Sequence, residues 1–167
     1  MKTLLATSLA LLLATLTMGC DTTDCADAVG EPAIEVGFSS VDEWQPVSAG
    51  DAIFVEAGNQ GSGLMVLLNL RLVGVDAAVG AYSTLDVQLV RDGEALTVEG
   101  GRTMAAVCQD DGALVARNRR VEFTDLYYTL DDLDGIYDGF EGELQVTAEL
   151  IDGTQLQTVV PVVLEAG

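Results

Sequence analysis

The chain contains no histidine in its 167 residues. That absence removes Ser-His-Asp and Cys-His catalysis together with every His-ligated zinc site. Cysteine is scarce too: Cys20, Cys25 and Cys108 are one short of a four-thiolate zinc site. Lysine occurs once, as Lys2, so beyond residue 19 the positive charge is six arginines against 27 acids, a formal charge of −21. A surface of that sign repels phosphate backbones, which excludes nucleic-acid partners, and it disfavours docking on anionic lipid. A transmembrane helix needs roughly 20 apolar residues. The longest oily stretch, Leu4 to Met18, is shorter than that.

What is present begins with "MKTLLATSLALLLATLTMGC". One lysine, an apolar run and small residues before a cysteine have the shape of a secretory leader. Leu16, Thr17, Met18, Gly19 and Cys20 resemble the lipobox of bacterial lipoproteins. The resemblance implies that the Cys20 sulfur receives a diacylglyceryl group, that the leader 1–19 is cut before it, and that the new N-terminus is acylated. One acyl chain holds a membrane only marginally, whereas two or more anchor stably. The expected partner is therefore a membrane, reached through lipid, and the expected location is the cell envelope, facing the periplasm or the surface.

With Cys20 assigned to lipid, Cys25 and Cys108 remain. An even pair in an oxidising compartment reads as a disulfide. It would close a loop of about 84 residues, valued at roughly 4–5 kcal/mol by the chain-entropy model. Residues 20–32 are small, acidic and without periodic apolar positions, the composition of a tether. A bond from Cys25 would pin the root of that tether to the body, residues 33–167.

The body is 49% hydrophobic by the whole-chain composition but only 5% aromatic, enough apolar content to escape disorder despite the charge. Its patterns have period two. "AIEVGF" (33–38), "DAIFVEA" (51–57) and "GLMVLLNLRLVGV" (63–75) read as strands, and Leu64, Val66, Leu68, Leu70 and Leu72 share a face of the third. Residues 83–100 read as a hairpin around Asp92-Gly93, and 143–166 as another around Asp152-Gly153, with Leu144, Val146, Ala148 and Leu150 alternating inward. Segments 102–108 and 113–123 flank a turn at Asp110-Asp111-Gly112, and Pro161 belongs on an edge or at a bulge. No helical periodicity emerges. Seven to nine short strands predict an all-β fold, an antiparallel Greek-key β-sandwich, loosely immunoglobulin-like, with a closed barrel as second reading. The placement of Cys25 ahead of the first strand departs from the immunoglobulin disulfide.

Residues 34–76 are similar to a segment of uncharacterised predicted lipoproteins of Gram-negative bacteria, through Gly50-Asp51 before a short strand and Gln60-Gly61 after it. Ser62, Gly63 and Leu64 stand where that group has glycine and then an aromatic or histidine. The resemblance implies location and fold, and no chemistry.

Three features invite a functional reading. The segment 131–143, "DDLDGIYDGFEGE", crowds carboxylates among glycines, as oxygen-ligated Ca²⁺ requires. Asp132, Asp134, Asp138 and Glu141 are the candidate calcium ligands, against a plain solvated acidic loop. Leu130 occupies the first ligand position of an EF-hand register, which rejects that motif. Arg117, Arg119 and Arg120 form the basic spot, with Arg117 and Arg119 expected on one strand face and paired with acids of neighbouring strands. Tyr127, Tyr128, Tyr137 and Phe140, with Trp44 elsewhere, could stack on sugar rings or fill the core. Carboxylate pairs can run glycoside hydrolysis, but acids so abundant are poor markers. No catalytic residue and no cofactor other than calcium is assigned.

The expectation is a lipid-anchored binding or structural protein of the envelope, with an envelope protein or glycan as partner. A calcium-dependent adhesion or carbohydrate-binding module is the alternative, and a carboxylate-pair hydrolase a distant one. Mass spectrometry of detergent-extracted protein should find a mature chain beginning at Cys20 and carrying lipid mass. A first residue beyond Cys20 with no added mass would refute the anchor.

Overall fold

The structure, a computed structural model, describes residues 30–39, 43–57, 63–98, 100–124 and 139–166. Its strands are β1 (Ala33–Phe38), β2 (Asp51–Ala57), β3 (Leu64–Val73), β4 (Thr84–Arg91), β5 (Glu94–Ala95), β6 (Arg102–Thr103), β7 (Val107–Cys108), β8 (Leu114–Glu122), β9 (Phe140–Glu149) and β10 (Gln155–Ala166). One helical turn, α1 (Ala77–Gly80), follows β3. Asp76 caps it by accepting the Ala78 N–H at 2.7 Å. The all-β class holds.

The strands form one mixed sheet in the order β5-β4-β9-β10-β2-β3-β8-β7, with β1 beside β3 and β6 beside β4. A wholly antiparallel arrangement was expected, and one pairing corrects it. β10 and β2 run parallel, from Val162 opposite Asp51 to Ala166 opposite Val55. Period-two alternation is the same in both directions, so the pattern could not reveal it. β2 turns a corner: its first five residues bond β10, and Glu56 and Ala57 bond the start of β3. β1 takes the rest of that edge, from Leu68 to Val73. On the far side Leu96 N–H donates to the Leu89 carbonyl, Val98 N–H to Glu122 and Thr124 N–H to Leu96. Residues 96–98 thus lie between β4 and the end of β8, and the path of hydrogen bonds returns to β4.

The interior is aliphatic. Leu64, Val66, Leu68, Leu70 and Leu72 of β3 are all buried, and they meet Leu144, Val146 and Ala148 of β9 within one cluster. Both alternations expected from sequence are realised. Leu85, Val87 and Leu89 of β4 and Ile53 and Val55 of β2 complete the walls, with Phe123 as the largest fully buried side chain. Leu150, just past β9, is buried as expected. Each such burial stabilises by roughly 1.5–3 kcal/mol.

Pro161 sits in an interior strand, opposite Glu143 of β9. Its carbonyl accepts from Gly50 N–H at 2.9 Å, so its missing N–H points the same way, towards β2. Pairing with β2 begins only at Val162. The proline therefore stands on a local edge, where no ladder bond is lost.

Two glycines are required by close approach. At Gly37 a Cβ would lie 2.8 Å from the Trp44 ring, which covers β1 there. At Gly74 (φ +63°) it would lie 2.6 Å from the Glu31 carbonyl. The start of the described chain thus crosses the end of β3 at Gly74. The residues flanking 125–138 lie at the opposite end: Phe123 N–H donates to the Leu64 carbonyl and Gly139 N–H to Leu164. The ten residues of β3, at about 3.3 Å each, separate the two ends by roughly 30 Å.

The hairpin tips match the expected turns: Asp92 and Gly93 both have positive φ, as does Gly153. Asp152 accepts the Thr154 N–H at 2.9 Å, which holds its carboxyl below the usual aspartate value. A carboxyl depressed on folding stabilises above its unfolded pKa and loses that contribution as pH falls through the folded one. The turn is therefore an acid-sensitive part of the fold.

Leu68→Ala should cost about 2–5 kcal/mol in urea unfolding, because the walls around it are fully built. Val159→Ala, outward on β10 and 45% exposed, should stay within about 0.5 kcal/mol. Equal losses at the two positions would contradict the assignment of inner and outer faces.

Candidate functional site

Of the four calcium candidates, only Glu141 falls among the described residues; Asp132, Asp134 and Asp138 lie outside them, as do Tyr127, Tyr128 and Tyr137. Glu141 is exposed on the outer face of β9, opposite Val163. With Glu143, Arg91, Asp92 and Gly50 it lines a cleft of about 590 Å³. Phe140 is buried beneath Arg91, whose guanidinium lies 4.0 Å above the ring. Its role there is packing and cation–π contact. Among the described residues no three Asp, Glu, Cys or His gather as a metal site does. Cys20 and Cys25 also lie outside the described residues, while Cys108 is half-buried on β7 opposite Leu114.

The arginines are separated by a feature that alternation did not reveal. β3 and β8 pair Leu68 with Arg119 and Leu70 with Ala116, so an extra residue of β8 stands opposite Asn69. Asn118 takes a positive φ of 51° there. The bulge is held by Asn69, which is 5% exposed. Its amide donates to the Phe38 carbonyl at 2.9 Å and its oxygen accepts from the Asn118 N–H at 2.9 Å. One side chain thereby ties β1, β3 and β8 together.

The extra residue changes every face beyond it. Arg117 lies outside the sheet, donating to the Gln109 amide oxygen at 3.2 Å. Arg119, opposite buried Leu68, points inward. The expectation that Arg117 and Arg119 share a face is thus corrected. Arg119 donates to the carbonyls of Leu85 and Gly100, both at 3.5 Å, and its Nε is buried without a hydrogen-bond partner. Desolvation, then repulsion from Arg102, lowers its pKa, with Asp86 and Glu122 acting the other way. Arg120 faces outward and meets Glu122 at 3.8 Å on its own strand. The ion pair of Arg120 thus lies along its own strand rather than across strands.

A second cleft, of about 240 Å³, opens on the outer face of β3 and β8 between Trp44, Arg71, Arg117 and Asp111. Arg71 is its centre. The guanidinium contacts Asp111 at 2.6 Å and Glu35 at 3.4 Å and stands 5.4 Å from the Trp44 ring centroid. Trp44 is held between Gly37 and Arg71, so its ring packs within the protein. Sequence reasoning had not joined Trp44 to Arg71. The usable signal was Gly37, a glycine inside a strand that invites an aromatic cover. For the bulge the signal was Asn118, the residue in the basic run that tolerates left-handed backbone.

No protein-family model matches the sequence, and comparison with curated proteins finds no match.

Asn69→Ala would remove both hydrogen bonds that hold the bulge, to the Phe38 carbonyl and from the Asn118 N–H, each worth about 0.5–1.5 kcal/mol net. The variant should unfold about 1–3 kcal/mol more readily, and amide exchange should quicken at Asn118, whose N–H loses its acceptor. Unchanged protection at that amide would refute the bulge clamp.

Proposed function

We propose that this protein is a lipid-anchored component of the bacterial cell envelope whose body binds a partner or bears a structural contact, without catalysis. The observation that carries the reading is the polarity of the fold. The chain enters the body beside Gly74, at the end of β3, whereas the flanks of 125–138 lie roughly 30 Å away at its start. A protein anchored at Cys20 would hold the flanks of that acidic segment at the end away from the tether.

The proposed Cys25–Cys108 bond fits the same geometry. Cys108 pairs with Leu114, which pairs with Leu72, so it lies at the end where the tether enters. The body is best described as a flattened barrel, since its hydrogen bonds return through residues 96–98. The Greek-key, immunoglobulin-like sandwich is the looser description of the same two walls.

A calcium-dependent adhesion or glycan-binding module using Asp132, Asp134, Asp138 and Glu141 is the second reading, favoured by the outward position of Glu141. A thermal melt of residues 21–167 with calcium, magnesium or chelator separates the two. An extracellular site with Kd near 10⁻⁴ M should stabilise by roughly 2.7 kcal/mol in about 10 mM Ca²⁺, a rise of about 5–10 °C at this size. A calcium-selective rise abolished by D132N and D134N would establish the module. Equal rises with both cations would reduce the segment to screened surface charge and leave the anchored binding protein as the reading.

A further inference from the structure

Six arginines must serve the 27 acids beyond residue 19, yet three of them meet at one place. Between the open edges of β4 and β8 lies a cavity of about 40 Å³, lined by Arg102, Arg119, Arg120, Glu122, Gly100 and Val87 among others. The β-bulge at Asn118 turns Arg119 into this seam from β8. Arg102 reaches it from β6, where it pairs with Leu85. Two carboxylates offset the cluster. Glu122 contacts Arg120 at 3.8 Å, and Asp86 accepts from Gly100 N–H at 3.3 Å and from Gln88 at 3.2 Å. No ion pair reaches Arg102 or Arg119 from any described acid. Among the described residues, the seam thus gathers three guanidinium groups against two carboxylates.

We propose that the β4–β8 seam is a binding site for a single carboxylate group, seated between Arg119, Arg102 and Arg120. Size and shape choose the ligand class. The cavity holds about 40 Å³ where one water needs roughly 10–15 Å³ on the same measure, so it admits a group of a few heavy atoms, such as the head of an acid, and leaves the remainder in solvent. Guanidinium groups donate in a planar fork that matches a carboxylate. Arg102 and Arg120 are exposed and flank the entrance, while Arg119 is partly desolvated behind them, where an arriving anion gains most from its charge. The repulsion between Arg119 and Arg102 that lowers the former's pKa is relieved by the same anion. The site is independent of the calcium candidates and of the lipid anchor. Its natural occupant is either a free small acid or an acidic group on a larger partner.

The test is a titration of the arginine Nε–Hε resonances of the full-length chain in zwitterionic detergent, at constant ionic strength, with acetate, chloride or phosphate as probe. Saturable shifts at Arg119 and Arg102 with acetate, at least tenfold weaker with chloride and phosphate, are expected. Arg102→Gln, on the exposed β6, should weaken acetate binding severalfold with the fold intact, and Arg119→Lys should abolish it. Saturation by chloride or phosphate in preference to acetate would overturn the carboxylate assignment. Linear shifts common to all three anions, or shifts that survive Arg102→Gln unchanged, would overturn the site. A glutamate-terminated peptide that binds more tightly than acetate would assign the seat to a larger partner. Acetate binding that a peptide does not improve would assign it to free acids.

Discussion

Everything in this fold hangs on β3. It hydrogen-bonds β8 along one edge and both β1 and β2 along the other, while its inner face supplies five buried side chains to the core. A strand so placed must satisfy its backbone on both sides and its apolar face at once. Asn69 is the single polar side chain on it that is buried, and it is spent on backbone groups of the strands to either side. The N–H of the bulged Asn118 would otherwise lack a partner in the ladder. Packing, pairing and the irregularity in β8 are thus settled at one residue.

Much of this was legible in advance because β structure writes itself in alternation. The run from Leu64 to Leu72 and the run from Leu144 to Leu150 each announced a buried face, and Asp-Gly pairs announced their turns. What alternation cannot encode is the neighbour. Nothing in "DAIFVEA" says that its partner is the end of the chain, or that the two run the same way. Nor does a period of two survive an inserted residue. Arg117 and Arg119 differ by two in sequence yet lie on opposite sides of the sheet, because Asn118 absorbs the extra position. The candidate site was legible in part for the same reason: the basic run was visible, but its partition between an outer cleft and an inner seam depends on the bulge.

The distribution of charge follows from these placements. Arg71, between Asp111, Glu35 and the Trp44 ring, serves as internal bracing of an outer face. Arg91 covers Phe140 at the other wall. Those contacts hold two of the few cations in structural duty. Three more, Arg102, Arg119 and Arg120, gather in the seam, so an overall charge of strong negative sign coexists with a local concentration of cations. Net charge describes how such a protein repels a polyanion at a distance, and says little about which small group it accepts at contact.

The parallel pairing of β2 with β10 has a temporal side. The segment 51–55 has its partner in 162–166, more than a hundred positions later and at the last strand. A chain threaded or synthesised from its N-terminus therefore keeps the corner between its walls open until the final residues arrive. Contacts this distant in sequence slow folding, since the loop entropy must be met before they contribute. Until β10 has formed, residues 51–55 are left as an open template on that side, so the corner between the walls is the last part of the body to lock.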